Sequence, residues 1–199
     1  CLLMQVLKDE MRNRIYEAAI KEFSEKGFVK ASMRDIAVGA GMTVGNLYRY
    51  FEGKEALFYA VIGPAYDCLM ELVEKSVEMV KQRFDTSFFE FLSEQILKIS
   101  KEHKIELLIL FEGSGGTKYE SIKEEIVSIV EDFLKGDFLR KFKGADVRIE
   151  DTYLLRVIAV GFVEGMTMIN KKYEDAEKLK KVASQFIAFY FSDIRKRFR

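Results

Sequence analysis

Hydrophobic positions recur every three to four residues along most of the chain, which is the spacing of a helix with one buried face. The first stripe predicts a helix over about 11–26 that ends before Gly27. Its members are Ile15, Ala18, Ala19 and Phe23. After residue 64 the pattern predicts long helices over about 65–83, 87–102, 104–112, 118–135, 151–171 and 175–197. With a single proline and few turn signals, the chain is predicted to be all-α.

Two short helices are predicted after the first one. Ser32 followed by Asp35 is a capping-box pattern, and the amphipathic helix that it begins is ended by Gly41. Thr43 caps the next helix, over about 44–51. Two short helices joined by a turn that contains glycine predict a helix-turn-helix motif.

The second helix of this motif has two different faces. Leu47 and Phe51 lie one turn apart and are expected to face inward. The opposite face then carries Gly45, Asn46 and Arg49, which offers hydrogen-bond donors and no acidic group. A recognition helix with these residues suits the major groove of DNA, where Arg49 would read guanine and Asn46 would contact adenine or a phosphate.

Three segments, in this order and spacing, resemble the DNA-binding domain of the TetR family: 31–37, 41–51 and 54–57. The resemblance covers about residues 11–60. It implies a regulator that binds double-stranded DNA, most often as a repressor. The residues that it implies contact DNA are Ser32, Arg34, Thr43, Val44, Gly45, Asn46, Tyr48, Arg49, Tyr50 and Lys54.

The charge distribution requires any DNA binding to come from a local patch. Lys and Arg number 32, as do Asp and Glu, so the net charge is zero. Between residues 8 and 54 the basic residues exceed the acidic ones by only two. Val44 stands where the family often has a basic residue and Glu52 where it has a lysine or a neutral one, and both lower the local positive charge.

The resemblance also implies two domains, here a helix-turn-helix domain over 1–58 and a helical effector-binding and dimerisation domain over 59–199. In such proteins a small molecule releases the DNA. Gly63 and Pro64 are expected to interrupt the joining helix, and a kink there would form a hinge over about 60–68.

A homodimer is expected because the segment 153–169 is apolar on nearly all sides. One face would pack in its own bundle and the other against a partner, which two-fold symmetry would provide. The alternative is that these apolar faces only close the core of a monomer. The residues assigned to the interface are Gly161, Gly165, Met168, Val182, Phe186, Phe189 and Tyr190.

Polar groups in apolar helices are the best indication of an effector pocket, since a buried carboxylate needs a partner. Glu164 is the foremost candidate, and a salt bridge within the bundle is the alternative. A small amphipathic effector would fit such a pocket. The candidate residues are Cys68, Phe88, Phe111, Glu112, Phe162 and Glu164.

Little in the sequence favours an enzyme, a cofactor, a catalytic residue or a metal site. His103 is the only histidine, and the segment 113–118 has the composition of a phosphate-binding loop without its spacing. Two cysteines and no signal peptide fit the cytoplasm, and Arg156 and Glu164 make 153–169 too polar for a membrane span. Two other functions stay open, a DNA-bound structural or cell-division factor and a carrier of a hydrophobic ligand.

Overall fold

The structure, a computed structural model, describes residues 2–82, 86–138 and 149–191. Within these ranges the regular elements are helices, so the all-α prediction is confirmed. The helices are α1 (Leu2–Lys30), α2 (Met33–Gly39), α3 (Val44–Tyr50), α4 (Lys54–Gln82), α5 (Thr86–Glu112), α6 (Ile122–Phe133), α7 (Tyr153–Lys172) and α8 (Ala176–Phe191). A π-helical turn, Leu134–Phe138, follows α6.

The chain forms two compact units, and α4 and α5 each contribute to both of them. The first unit comprises the described residues of Cys1–Asp67 and His103–Glu120, and the second those of Cys68–Glu102 and Ser121–Arg199. The predicted domain boundary at residue 58 stays a prediction.

The core of the first unit is built from the apolar faces of α1 to α4. Ile15 and Phe23 of α1, Leu47 of α3 and Phe58 of α4 are all essentially inaccessible to solvent. The rings of Phe23 and Phe58 meet edge to face with centroids 5.0 Å apart. The stripe predicted for the first helix is therefore a buried face that holds the helix-turn-helix.

Helix α1 is longer than predicted and has a break at Gly27. Gly27 has a φ of +68°, a conformation that residues with a Cβ rarely adopt. The break lets the N–H of Phe28 donate to the carbonyl of Gly113 at 2.8 Å. The segment after α5 is thereby joined to α1 by a main-chain hydrogen bond within the first unit.

In the second unit, α6 packs against α7 and α7 packs against α8. Aromatic rings of α8 cover the two glycines of α7. A Cβ on Gly161 would lie 2.6 Å from the hydroxyl of Tyr190, and one on Gly165 would lie 2.2 Å from Cζ of Phe186. The absence of both Cβ atoms therefore lets α8 approach α7 closely within one chain.

Two ion-pair systems join α6 and α7. Arg156 binds Glu131 at 2.9 Å and also binds Glu124, while Lys123 binds Glu164 at 2.8 Å. The pairing with Glu131 and Glu124 raises the pKa of Arg156, the bond to Glu124 contributing most. Arg156 and Glu164 of α7 are thus paired within the second unit.

Several predicted boundaries are corrected by the structure. The interruption expected at Gly63 and Pro64 is wrong, because α4 continues as one α-helix through both residues. The break between 102 and 104 is confirmed, since His103 has non-helical dihedral angles of −139° and 31°. Turns occupy the beginning of the helix predicted over 118–135, so that α6 begins only at Ile122.

Two of the described helices are long and apolar enough, by length and composition alone, to cross a membrane. They are Lys54–Met79 and Tyr153–Lys172, with mean hydropathies of 1.4 and 1.3 in their most apolar windows. The core helix of a soluble protein passes the same test, and Arg156 and Glu164 of α7 are engaged in ion pairs. The length of these helices is therefore weak evidence for a span.

Candidate DNA-binding surface

The N-terminus of α2 is capped by Ser32, and the main chain of Ser32 is in turn bound by a residue of α1. The Oγ of Ser32 accepts a hydrogen bond from the N–H of Asp35 at 3.4 Å, as the capping-box pattern predicts. The reciprocal bond is made by a different residue, because the N–H of Ser32 donates to the carboxylate of Glu22 at 3.0 Å. The prediction for the side chain of Asp35 is therefore wrong.

Glu22 and Lys26 are positioning residues that the sequence analysis missed. Glu22 is only 7% exposed, and Lys26 donates to it at 2.8 Å and to Asp35 at 3.0 Å. These bonds, chiefly the one to Glu22, raise the pKa of Lys26. The signal that could have found them is the i,i+4 acid–base pair on α1, which also lies on the side that faces α2.

The turn between α2 and α3 has the predicted form. Gly41 has a φ of +68°, its N–H donates to the carbonyl of Val38 at 3.0 Å, and the N–H of Met42 donates to that of Ala37 at 2.9 Å. Thr43 then begins α3, and its Oγ1 accepts a hydrogen bond from the N–H of Asn46 at 3.2 Å. The helix-turn-helix read from the sequence is thus formed with the expected caps.

Helix α3 separates a buried face from an open one. Leu47 and Phe51 are buried, whereas Tyr48 is 50% exposed and Arg49 is also exposed. A Cβ built on Gly45 would meet nothing within 4 Å. The side of α3 on which the sequence places its DNA contacts is therefore open to a ligand.

The remaining candidate DNA contacts differ in exposure. Arg34 and Thr43 are exposed, and the half-exposed residues are Ser32, Val44, Asn46, Tyr50 and Lys54. Their contacts with DNA stay predictions.

The side chain of Lys54 makes contacts within the first unit. Its ammonium donates to the carbonyls of Val29 and Ala31, both at 3.0 Å, and lies 4.7 Å from the centroid of the Phe28 ring. An ammonium has three donors, so two of them already stabilise the end of α1. A phosphate contact by Lys54 would compete with these bonds.

The candidate effector residues fall into both compact units. Cys68, Phe88, Phe162 and Glu164 belong to the second unit, and Phe111 and Glu112 belong to the first. Phe88 and Phe162 are buried, and the rings of Phe162 and Phe186 stack with centroids 5.9 Å apart. Their role in effector binding stays a prediction.

The premise that the two glutamates are buried is wrong. The side chain of Glu164 is 49% exposed and is paired with Lys123, as the salt-bridge alternative held. Glu112 is exposed as well. Neither residue therefore needs an effector to compensate a buried charge.

Six of the seven candidate interface residues divide into two groups, and the seventh, Val182, is half-exposed. Gly161, Gly165, Phe186 and Tyr190 contact each other within the chain. Met168 and Phe189, by contrast, are 68% and 64% exposed. Tyr153, Val157 and Val160 of α7 are exposed at helical spacing, and with Met168, beyond the exposed Glu164, they form an apolar stripe that the described residues leave uncovered.

A helix-turn-helix whose second helix has one buried and one open face has the geometry of a DNA-binding motif. Residues 15–61 match the family model of bacterial regulatory proteins, tetR family. Among the described residues no group of three or more His, Cys, Asp and Glu could hold a metal ion.

The chain is similar in sequence to proteins named HTH-type transcriptional regulators and similar in fold to solved TetR-family structures. The uncharacterized HTH-type transcriptional regulator YvdT of Bacillus subtilis is 30% identical over 127 residues, which cover 59% of this chain and 62% of that protein. A TetR-family regulator from Bordetella parapertussis has a TM-score of 0.64 at 18% identity and covers 91% of this chain and 94% of its own. AibR in complex with isovaleryl coenzyme A and operator DNA has a TM-score of 0.58 at 19% identity, with coverages of 90% and 97%.

Residues 15–61 are therefore similar to the DNA-binding domain of the TetR family. The aligned region spans less than two thirds of the length of YvdT, and the similarity to the solved structures concerns the fold.

Proposed function

We propose that this protein is a transcriptional repressor that binds a palindromic operator as a homodimer and releases it when a small amphipathic effector binds. The observation that carries the DNA-binding part is the open face of α3, where Tyr48 and Arg49 project opposite the buried Leu47 and Phe51. Arg49 is the candidate for reading guanine, and Ser32, at the start of α2, is the candidate for a phosphate contact.

The dimer is supported by the apolar stripe on α7, which no described residue covers, and by Phe189 on α8. Isolated hydrophobic residues are common on surfaces, but a stripe that repeats at helical spacing fits a protein interface. A two-fold axis would place two copies of α3 about one helical turn of DNA apart, roughly 34 Å, or somewhat more. A palindromic operator follows from that symmetry.

The effector class is suggested by AibR, which has been solved with isovaleryl coenzyme A and operator DNA. An acyl-CoA thioester has an apolar chain and an anionic head, so it satisfies the amphipathic character expected from the sequence. We therefore take acyl-CoA thioesters as the first effector class to test. Location in the cytoplasm, where both acyl-CoA and DNA occur in bacteria, is part of the same proposal.

Selection of the protein against random duplex DNA tests the DNA-binding part. The wild type is expected to enrich one palindrome, and Arg49→Ala and Tyr48→Ala are expected to lose the enrichment without loss of helicity. Lys101→Ala, an exposed residue of α5 in the second unit, is the control and should enrich the same palindrome. No enrichment at low salt would favour the carrier, and many scattered sites would favour the structural factor.

Effector release is tested on the selected operator by fluorescence anisotropy. Acyl-CoA thioesters of increasing chain length are added to the preformed complex, with free coenzyme A and the free fatty acids as controls. A coupling free energy of about 1 to 3 kcal/mol corresponds to a 5- to 150-fold loss of operator affinity. An unchanged affinity at saturating thioester would refute this effector class and leave the DNA-binding part intact.

A further inference from the structure

We propose that Arg12 and Arg14 of α1 form a second DNA contact, in which they bind the phosphodiester backbone on the two sides of the groove that α3 enters. This inference rests on the proposed DNA-binding function and adds two residues that neither the helix-turn-helix pattern nor the family resemblance assigned.

The contacts of the two arginines place them at opposite ends of α3. The guanidinium carbon of Arg12 lies 5.7 Å from the ring centroid of Phe51, the residue that follows the C-terminus of α3. The Nη2 atom of Arg14 lies only 2.3 Å from the position of a Cβ on Gly41, in the turn that precedes α3. The side chains of α1 thus flank the recognition helix.

The length of α3 is close to the width of the major groove, so that a cation at each end of the helix would lie near one edge of the groove. Helix α3 has seven residues and is therefore about 10 Å long, and the major groove is about 12 Å wide. Cations at both ends of a helix that lies in the groove can reach the phosphates that border it. Arginine suits this role because its planar guanidinium binds phosphate through two parallel hydrogen bonds.

Both guanidiniums are exposed and have no acidic partner in the described part of the chain. Glu10 and Glu17 lie one turn before and one turn after Arg14, yet neither is within ion-pair distance of it. Arg12 contacts the Phe51 ring, an arrangement that orients a guanidinium without neutralising it. The positive charge of both residues is therefore available to an anion.

Two lysines of the first unit are already engaged. Lys26 is shared by Glu22 and Asp35, and Lys54 is bonded to two main-chain carbonyls. Val44 and Glu52 add no positive charge beside Arg34 and Arg49, so further phosphate contacts from a neighbouring helix would add to the affinity. Arg12 and Arg14 supply them from the neighbouring helix.

The salt dependence of operator affinity tests this inference. Each phosphate contact contributes about 0.9 to the slope of log K against log salt concentration. For Arg12→Gln/Arg14→Gln we expect the slope to become shallower by about 1.8, with equal losses of affinity for the operator and for a scrambled duplex. Arg12→Lys/Arg14→Lys keeps the charge and should keep the slope.

Lys101→Gln/Lys180→Gln is the matched control, because it removes the same net charge from exposed residues of the second unit. It should leave the slope unchanged. A purely structural role for the arginines would lower the melting temperature and leave the slope of the Gln variant at the wild-type value, which would overturn the inference. If the wild type itself selects no duplex, the proposed function fails instead.

Discussion

Replacement of Gly165 by alanine tests how α7 and α8 pack. The new Cβ would lie 2.2 Å from Cζ of Phe186 and 2.9 Å from both of its Cε atoms. Two carbon atoms in contact need about 3.5 Å, so the ring or the helix must move by about 1.3 Å. The ring is confined, since Phe162 stacks on it and Tyr190 lies at a centroid distance of 4.7 Å.

Two effects of opposite sign determine the magnitude. Overpacking of a confined ring destabilises a protein by about 1 to 3 kcal/mol. Alanine in place of glycine within a helix stabilises it by about 1 kcal/mol. Gly165→Ala alone should therefore lower the free energy of unfolding by up to about 2 kcal/mol. In a Phe186→Leu background the ring is absent, and the same substitution should instead stabilise by up to about 1 kcal/mol.

Urea denaturation of the four proteins of this double-mutant cycle measures the effect. All four are compared at one protein concentration, because a dimer makes apparent stability depend on concentration. We expect the effect of Gly165→Ala to differ between the two backgrounds by about 1 to 3 kcal/mol. The same effect in both backgrounds would show that the ring of Phe186 does not occupy the space over Gly165.

Three further predictions follow from single contacts. Glu22→Leu leaves the N–H of Ser32 without its acceptor and should lower the free energy of unfolding by about 1 to 3 kcal/mol in urea, whereas Glu22→Gln keeps an acceptor and should recover most of it. Gly45→Ala meets no atom within 4 Å, so the melting temperature should not fall while operator affinity, measured by anisotropy, does. The side-chain bonds of Glu131, chiefly the one to Lys135 and then the one to Arg156, lower its pKa below the ordinary value of 4.5. The stability that ionised Glu131 contributes to the fold is complete above that pH and is lost as the pH falls through the lowered pKa. Glu131→Gln should therefore flatten the acid limb of a stability–pH curve.

The first unit was largely predictable from sequence because its signals are local. Ser32 and Thr43 cap helices through bonds to residues three positions later, and Leu47 and Phe51 follow the helical period. The bond from Ser32 to Glu22 spans ten residues and depends on how α1 crosses α2, which no local pattern encodes. The same holds for the contact of Arg14 with the Gly41 turn.

The second unit was less predictable because burial there depends on which helices meet. Glu164 stands in an apolar segment and was taken for a buried acid, but α6 supplies Lys123 to it at the surface. Gly161 and Gly165 were assigned to the interface between two subunits, and the helix that approaches them in the structure is α8 of the same chain. Pro64 was expected to start a new helix or to kink the old one, yet one α-helix continues through it, with buried residues on both sides along the chain, Ile62 and Ala65.

Hydroxyl-radical footprinting on the selected operator tests the central claim most directly, that two copies of α3 enter successive major grooves. The wild type is expected to protect two patches related by the two-fold axis of the palindrome, with centres about one helical turn apart or somewhat more. Arg49→Ala should weaken both patches equally. A single protected patch, or protection without two-fold symmetry, would contradict the account.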